Sequence, residues 1–419
     1  MVNKEFIPNG WRKVTIDDIC ELRRGASPRP ISDPKYFGNG AGWVRISDVT
    51  RAGNYLKQTE QYLSKLGESK SVKVTPGEVI MSICATIGRP IIVDMEACIH
   101  DGFVVFKNLS EHVNNLFFLY WLKTKENYFN SLGQQGTQKN LNTNIVKKTE
   151  ILLPPLPVQR KIAAILSSVD EAIEKTEAII EQTEKVKKGL MQQLLTKGIG
   201  HTKFKKTEIG EIPEEWEIAK LMDLSSLMTN GFVGVASPFY SESEEDSVPY
   251  LMSNNIRENR IDLTKLVRVT NEFHLQNQKS ILQEGDLLTV QSGHIGTSCV
   301  VPKEFEGANC HALIITRFSD NRVNPYFISY YLNSQVGMRR LKTIFVGSTV
   351  PHINVKDFKK FVVPIPPITE QNKIVSTLQS FDEKIYNEQE KLSQLQVIKK
   401  SLMQSLLTGK VRVKVDDEV

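Results

Sequence analysis

The sequence lacks the marks of a membrane, secreted or zinc-binding protein. No apolar run in its 419 residues approaches the ~20 residues that a membrane span needs, and the initial MVNKEFIPNGWRK has no signal-peptide core. The five cysteines are scattered, odd in number and without a Cys-x-x-Cys pair. This usage favours reduced thiols over disulfides or a zinc site, so we expect a cytoplasmic protein.

Motifs of the common enzyme classes are also lacking. The chain has no phosphate loop, no dinucleotide fingerprint, no nucleophile elbow and no His-Glu-x-x-His pair. Cys310 and His311 are adjacent along the chain, but a nucleophile and its base must meet in space. We interpret His311, and His100 that aligns with it, as structural residues at strand ends. We therefore expect no catalytic residue, no metal site and no cofactor in this chain.

The charge of the chain is mild and unevenly distributed. Hydrophobic residues make up 40% and charged residues 24% of the sequence, as in a folded globular protein. Residues 1–157 carry 20 basic and 15 acidic side chains, whereas residues 198–368 carry 18 and 19. A basic surface indicates nucleic acid binding, but only the first segment has one.

The chain consists largely of one unit that occurs twice. QRKIAAILSSVDEAI (159–173) aligns with QNKIVSTLQSFDEKI (371–385) at an offset of 212 residues. VTPGEVIMSICATIG (74–88) aligns with ILQEGDLLTVQSGHIG (281–296), with Gly77 over Gly285 and Gly88 over Gly296. A period near 200 residues indicates a duplicated domain, not a solenoid.

Each unit contains two kinds of segment. The first ~150 residues hold short apolar runs bounded by Gly or Pro, such as GEVIMSI, DGFVVFK and GDLLTV, which predict short strands. NNLFFLYWLKT and NPYFISYYLNS predict helices. Prolines in LLPPLP (152–157) and VPIPPI (363–368) end these regions.

A heptad pattern follows the prolines in both copies. Apolar residues recur in steps of three and four, which predicts a long helix with a coiled-coil seam. The predicted seam consists of Ile162, Leu166, Val169, Ile173, Ile180, Leu190 and Leu194 in the first copy, and Ile374, Leu378, Phe381, Ile385, Leu392, Leu395, Leu402 and Leu406 in the second. Lys187 and Lys399 occupy the same seam position. We interpret them as snorkelling side chains, with a register-setting role as the alternative.

These patterns predict an α+β fold. Two globular domains of the tandem repeat, α/β in content and rich in β-strands, are separated and followed by long helices. Because helix 2 starts near the place where helix 1 ends, we expect the helices to pair as an antiparallel coiled coil with pseudo-twofold symmetry. The predicted boundaries are 1–157 for the first domain, 158–200 for the first helix, 201–368 for the second domain, 369–412 for the second helix and 413–419 for a tail.

Polar loops are the candidate binding residues, because Arg, Lys, Gln and Asn are the side chains that reach base edges and phosphates. The two copies share a framework and differ in these loops, which suits the recognition of two different sequences. The candidates in the first domain are Arg23, Arg24, Arg29, Arg45, Ser47, Arg51, Gln134, Gln135, Gln138, Lys139 and Asn140. Those in the second are Ser253, Asn254, Asn255, Arg257, Gln291, Ser292, His294, Ser348, Thr349, His352 and Asn354. Ordinary surface loops are the alternative interpretation.

The chain resembles the specificity subunits of Type I restriction–modification systems over essentially its whole length. The resemblance is carried by LPPLPVQRKIAAILSSVDEAI and PIPPITEQNKIVSTLQSFDEKI, by GLMQQLLTKG and SLMQSLLTGK, and by FKKTEIGEIPEEW and GTQKNLN. It implies that each globular segment is a target recognition domain for one half of a bipartite double-stranded DNA site. The helices would set the spacer and dock two methyltransferase subunits.

The same resemblance implies partners that do the chemistry. The methyltransferase subunits would bind S-adenosylmethionine and methylate an adenine in each half-site, and two motor/endonuclease subunits would use ATP and magnesium to cut unmodified DNA. The chain departs from this picture in one respect, because its second recognition domain is not net basic. Two other hypotheses stay open: a coiled-coil scaffold that binds proteins instead of DNA, and an enzyme with an unrecognised site.

Overall fold

The computed structural model describes residues 7–133, 140–347 and 351–415. Its internal contacts divide the chain into two units. Unit 1 comprises the described residues up to Glu177 and those from Glu390 onward, and unit 2 comprises the described residues of Ala178–Gln389. Both long helices cross this division, so each unit holds one part of each helix.

Unit 1 is built from short strands and helices that precede a long helix. Its strands are β1 (Arg12–Thr15), β2 (Glu21–Arg24), β3 (Phe37–Val44), β4 (Tyr55–Leu56), β5 (Gln61–Leu63), β6 (Val72–Val74), β7 (Val79–Ser82), β8 (Pro90–Val93), β9 (Ala97–Ile99), β10 (Phe103–Lys107) and β11 (Glu150–Leu153). Its helices are α1 (Ile16–Ile19), α2 (Ile46–Arg51), α3 (Lys65–Ser69), α4 (Asn115–Thr124), α5 (Glu126–Leu132) and α6 (Thr143–Lys147), followed by α7 (Leu156–Lys197).

Two sheets carry the core of unit 1. Their strand orders are β2-β10-β7-β8-β4 and β5-β3-β9-β6, and β1 pairs separately with β11. Alternate residues of β10 point to opposite sides, as the period of a strand requires. Val104 and Phe106 pack towards α4 and the start of α7, whereas Phe103 and Val105 belong to a second cluster with residues of β3 and β9.

Unit 2 has the corresponding elements. Its strands are β12 (Phe204–Thr207), β13 (Gly210–Pro213), β14 (Glu217–Lys220), β15 (Ser225–Asn230), β16 (Tyr240–Ser241), β17 (Ser247–Leu251), β18 (Ile256–Arg257), β19 (Arg260–Ile261), β20 (Val267–Thr270), β21 (Leu287–Val290), β22 (Ser298–Val300), β23 (Asn309–Cys310), β24 (Leu313–Phe318) and β25 (Val362–Ile365). Its helices are α8 (Leu221–Leu224), α9 (Asn271–Gln276), α10 (Pro325–Asn333), α11 (Gln335–Leu341) and α12 (Val355–Lys359), followed by α13 (Ile368–Leu406).

The sheets of unit 2 repeat those of unit 1. The order β15-β24-β21-β22 matches β2-β10-β7-β8, and β14 pairs with β25 as β1 pairs with β11. The aligned glycines also share a left-handed backbone, with φ of +93° and +85° at Gly77 and Gly285, and +88° and +87° at Gly88 and Gly296. The predicted duplication and α+β fold class are therefore confirmed.

The long helices form the predicted seam in both units. Every predicted seam residue is buried or half-buried. In unit 1, Ile162 and Leu166 share a core with Leu406 at the far end of α13, and Asp170, farther along α7, contacts Lys399, farther back along α13. In unit 2, Leu194 near the end of α7 shares a core with residues at the start of α13. Within each unit the two helices are therefore antiparallel.

A buried glutamine joins each long helix to the domain before it. The Gln159 amide donates to the carbonyls of His112 and Pro154, both at 2.8 Å, and its oxygen accepts the Asn114 N–H at 2.8 Å. Gln371 makes the corresponding three bonds, to the Arg322 and Pro366 carbonyls and from the Asn324 N–H. Asn114 and Asn324 are the N-caps of α4 and α10. Each glutamine therefore fixes the start of an aromatic helix against the start of a long one.

A buried carboxylate joins three elements in unit 1. Asp170 of α7 accepts hydrogen bonds from Tyr120 Oη of α4 at 2.6 Å, from Asn54 Nδ2 at 2.7 Å and from Lys399 Nζ of α13 at 2.5 Å. Burial on its own raises the pKa of Asp170, but the hydrogen bonds from its three donors outweigh it, so the pKa lies below the ordinary value. The Asp170 carboxylate therefore stabilises the fold in its charged form.

Unit 2 has the equivalent arrangement. Asp382 of α13 accepts from Tyr330 Oη of α10 at 2.5 Å and from Lys187 Nζ of α7. The side chains of Lys187 and Lys399 are only 13% and 25% exposed. The snorkelling interpretation is therefore wrong for both lysines, because each ammonium is paired with a carboxylate of the opposite helix and not with solvent. We call the Asp170 and Asp382 clusters the aspartate nodes.

We predict that Asp170→Asn lowers the free energy of unfolding of the full chain by about 1.5–3 kcal/mol, the usual contribution of hydrogen bonds to a charged group. The change keeps the shape of the side chain but removes its charge and leaves Lys399 half-buried without a carboxylate. Because the native pKa is below the unfolded value of about 3.9, the contribution is present above that value and is lost as pH falls through the native pKa. Urea unfolding at pH 7 and at pH 3.5 measures both effects.

Glu171→Gln is the matched control, because Glu171 is the neighbouring residue of the same helix and is exposed. It should change stability by less than about 0.5 kcal/mol. Equal stability of Asp170→Asn and Glu171→Gln at neutral pH would contradict the role of the node.

Candidate nucleic-acid interface

The first candidate residues gather at the turn between β9 and β10. Arg24 at the end of β2 donates from Nε to the Asp101 carbonyl at 2.8 Å, and Arg29 donates to Asp101 Oδ2 at 3.0 Å. Ser27 donates to the other carboxylate oxygen. Burial raises the pKa of Asp101, but the Ser27 hydrogen bond and Arg29 bring it below its ordinary value. Both arginines are exposed, so their remaining donors face solvent. Arg23 is exposed on the same strand.

Arg45 lies close to this turn. It is exposed, its guanidinium donates to Gln61 Oε1 at 3.0 Å, and no described residue forms an ion pair with it. The pKa of His100 lies below its ordinary value, chiefly because the ring is buried. The negative charge of Asp101 opposes this shift, and the positive charge of Arg45 adds to it. His100 Nδ1 accepts the Gly102 N–H at 2.9 Å, as expected for a structural histidine at a strand end. Arg45 therefore carries a charge that a phosphate or a guanine could use.

Arg51 is in a different situation. Its guanidinium contacts Asp48 at 3.2 Å and Glu60 at 2.6 Å, and these carboxylates raise its pKa. Ser47, on the same short helix, is exposed. An arginine held by two carboxylates is a poor ligand for phosphate, because its charge is already neutralised. Arg51 therefore differs from Arg29 and Arg257, which each pair with one carboxylate.

A turn and a loop meet in both units. Asn140 forms a β-bridge with Cys84, in the turn between β7 and β8, and His352 forms one with Ser292, in the turn between β21 and β22. Ser292, His352 and Asn354 are exposed. The candidates Gln134, Gln135, Gln138, Lys139, Ser348 and Thr349 lie outside the described residues. The same two segments of the repeat therefore meet in each unit, with different side chains.

Further candidates of unit 2 adjoin this turn. Gln291 Nε2 donates to Asn230 Oδ1 at 2.6 Å. His294 Nε2 lies 3.2 Å from the Ile256 carbonyl oxygen. Ile256 is followed by Arg257, whose guanidinium is paired with Asp262 at 2.9 Å. Gln291 and Arg257 are half-buried, and His294 is exposed. The segment 253–257 therefore adjoins the turn between β21 and β22.

Asn255 has a structural role. It is fully buried, its side-chain oxygen accepts the Met252 N–H at 2.9 Å, and its Nδ2 donates to the Asp262 carbonyl at 2.9 Å. Ser253 and Asn254 are half-buried, and Asn254 Oδ1 has no partner among the described residues. We therefore leave Asn255 out of the interface that we propose, and we keep the two residues before it.

Sequence reasoning missed Asp101 and Asn230. Both are short polar residues next to candidates, and each orients one or two of them. Asn230 directly precedes Gly231, which donates its N–H to the Leu313 carbonyl as Gly25 donates its N–H to the Phe103 carbonyl. Asp101 is distant along the chain from Arg24 and Arg29, so no sequence signal joined it to them.

The structure also bears on the adjacent Cys310 and His311. Cys310 is completely buried, and burial raises its pKa well above the ordinary value. His311 Nδ1 lies 3.0 Å from Tyr250 Oη, and burial lowers its pKa. A buried thiol with a raised pKa does not supply a thiolate nucleophile. His311 is a structural residue at the end of β23, as predicted.

The described residues contain no group of three or more His, Cys, Asp and Glu side chains arranged to hold a metal ion. Within the same ranges, no helix combines the length and the hydrophobicity that a membrane span requires. The candidate interface consists of polar and basic loops at the ends of strands.

The sequence is similar to known proteins over most of its length. A family model described as "Type I restriction modification DNA specificity domain" matches residues 8–185 and 213–397. The Type I restriction enzyme MjaVIII specificity subunit of Methanocaldococcus jannaschii is 26% identical over 97% of this chain and 94% of its own length. The Type I restriction enzyme EcoBI specificity subunit of Escherichia coli is 23% identical over 88% of this chain and 78% of its own length.

A solved structure has the same fold. The S subunit of a Type I restriction–modification system from M. genitalium superposes with a TM-score of 0.61 at 17% identity, and the match covers 97% of both chains. At this level of identity the comparison concerns the fold, and it includes the tandem repeat and the long helices.

Proposed function

This chain belongs to the Type I restriction–modification DNA specificity family, and we propose that it is the DNA-sequence-specificity subunit of such a complex. It binds an asymmetric, bipartite site in double-stranded DNA, with one half-site for each recognition domain. The observation that carries the proposal is the repeated meeting of the same turn and loop in both units, with different polar side chains in each. A shared frame with divergent side chains is what recognition of two different half-sites requires.

The long helices are proposed to serve as a spacer and as a docking surface for two methyltransferase subunits. Apolar side chains outside the seam support the docking role: Ile179 and Val186 on α7 and Tyr386, Val397 and Ile398 on α13 are all exposed. Exposed apolar side chains of this kind are typical of protein interfaces. Two motor/endonuclease subunits complete the proposed complex.

We propose that this chain is not itself catalytic. S-adenosylmethionine, ATP and magnesium are assigned to the partner subunits, and this chain holds the DNA in position for them. The adenine must leave the base stack to be methylated, so the chain contributes binding and distortion of the duplex and the partners contribute the transfer. We propose that the chain acts in the cytoplasm. Its five cysteines are free, as is usual for proteins of that reducing compartment, and the DNA is accessible there.

A protein-binding scaffold is the alternative, and salt distinguishes the two. Binding to DNA phosphates releases counterions, so affinity falls steeply with salt concentration. A scaffold without DNA would show no binding to duplex DNA at low salt.

A map of adenine methylation across the genome of the source cell tests the proposal directly. Deletion of this gene should abolish methylation at one split motif that is modified on both strands, and a plasmid copy should restore it. An unchanged map together with no salt-dependent DNA binding by the purified chain would contradict the proposal.

Replacement of Arg45 or Gln138 by Ala should relax or abolish recognition of one half-site only. Arg45 has a charge that no described carboxylate neutralises, and a good bidentate contact to a base contributes about 1–3 kcal/mol of discrimination. Methylation maps of the two variants in the deletion strain measure the effect. Arg51→Ala is the control, because Arg51 is already paired with Asp48 and Glu60. Unchanged specificity in both test variants would remove these assignments.

Incubation of the purified chain with duplex DNA, magnesium, ATP and S-adenosylmethionine tests the non-catalytic assignment. We expect neither strand cleavage nor methyl transfer until the partner subunits are added. Either activity in the chain alone, after removal of contaminating enzymes by a second purification, would contradict the assignment.

A further inference from the structure

One loop of unit 2 exposes apolar side chains beside the candidate interface. The valine loop, residues 231–235 with the sequence GFVGV, follows β15. Val233 and Val235 are 70% and 74% exposed, more than any other large hydrophobic residue among those the structure describes. Burial of these side chains against a ligand would be favourable, so the loop is a candidate contact surface.

The valine loop is held firmly at both ends. Gly231 donates its N–H to the Leu313 carbonyl at 2.8 Å, and Phe232 exchanges backbone hydrogen bonds with Cys310 and Ala312. The Phe232 ring packs edge-on against Phe273 at 4.9 Å, and Ala236 is buried. A Cβ at position 231 would lie 2.6 Å from Cys310 Sγ, so only glycine fits there. The backbone before and after the two valines is therefore anchored, and each valine has a stiff side chain.

The valine loop starts in the same way as the segment that follows β2 in unit 1. Gly25 makes the same backbone bond to the start of β10 that Gly231 makes to the start of β24, and a Cβ on Gly25 would lie 2.1 Å from the His100 carbonyl. Asn230 takes the place of Arg24, because Asn230 pairs with Ile314 of β24 as Arg24 pairs with Val104 of β10. The exchange of an arginine for a neutral residue is one reason that the second domain is not net basic.

The valine loop adjoins the candidate interface of unit 2. Asn230, directly before the loop, accepts the hydrogen bond from Gln291 at 2.6 Å. A groove of about 480 Å³ lies beside the loop and is lined by Asn230, Phe232 and the exposed Leu275. Polar groups that suit base edges and apolar groups that suit methyl groups therefore lie next to each other.

We propose that Val233 and Val235 contact the C5-methyl groups of thymine in the major groove of the half-site that unit 2 recognises. This inference rests on the proposed function. The thymine methyl is the one apolar group that a base presents in the major groove, and apolar side chains recognise it there. Unit 1 has Arg24 where unit 2 has Asn230 before the valine loop, so the two domains apply different chemistry to their two half-sites.

Deoxyuridine, which differs from thymidine only by the missing C5-methyl group, tests the proposal. The probe is the reconstituted complex of this chain with its methyltransferase subunits, bound to duplexes that carry the mapped site. The half-site whose recognition is lost in a Gln291→Ala variant is assigned to unit 2. Each thymine of that half-site is then replaced in turn by deoxyuridine. We expect about a fourfold loss of affinity at one or two positions of this half-site, the amount that one buried methyl group contributes.

A double variant separates the valines from other contacts. Val233→Ser with Val235→Ser removes every methyl group from both side chains, so the double variant should bind thymine and deoxyuridine equally. Val411→Ser is the matched control, since Val411 is an exposed valine of unit 1, and it should discriminate as the wild type does. Equal melting temperatures of the variants establish that the fold is intact.

Two results would overturn the proposal. One is equal binding of thymine and deoxyuridine at every position by the wild type, and the other is undiminished discrimination by the double variant. Loss of subunit assembly in the double variant, with discrimination intact, would assign the loop to a protein contact instead. Failure of the proposed function itself is distinguishable, because the wild-type complex would then not bind the mapped site at all.

Discussion

The aspartate nodes are the interaction on which the rest of the structure depends. In each unit a single carboxylate accepts hydrogen bonds from two side chains. One is a lysine of the opposite long helix, and the other is a tyrosine of α4 or α10 in the globular domain. A heptad seam alone allows helices to slide by whole heptads, because every leucine resembles the next. A charged pair inside the seam removes this freedom, since any shifted register leaves a buried charge without its partner. The node therefore fixes the helices to each other and to the domain.

The same reasoning explains which residues recur in the two copies. Gln159 and Gln371 each form hydrogen bonds with three backbone groups, so a side chain that cannot replace these bonds would leave buried polar groups unsatisfied. Gly25 and Gly231 touch a neighbouring strand too closely for a Cβ. Loop side chains such as Arg29 and Val235 meet no such constraint from the fold. Residues that are the same in both copies are thus those that the fold requires, and residues that differ are those of the surface loops.

Much of the fold could be predicted from the sequence, because periodicity reports directly on which face of an element is buried. The strands around GEVIMSI, the helices after the prolines and the apolar seam follow from it. The lysine of the seam was misinterpreted because its partner, Asp170 or Asp382, is distant along the chain. Asn255 was predicted to bind DNA for a related reason, because the sequence does not show whether an asparagine is buried or exposed. Its hydrogen bonds with the Met252 N–H and the Asp262 carbonyl show that its role is structural.

The difference between the two domains has a consequence for the energetics of DNA binding. Exposed arginines such as Arg23 and Arg45 attract any sequence through its phosphates, so they raise specific and non-specific affinity together. Valine side chains gain nothing from phosphate and contribute only where a methyl group meets them. A complex in which both domains were strongly basic would stay on non-specific DNA, which is present in vast excess. A basic first domain for attraction and a nearly neutral second domain for discrimination therefore yield a better ratio of specific to non-specific binding than two equal domains would.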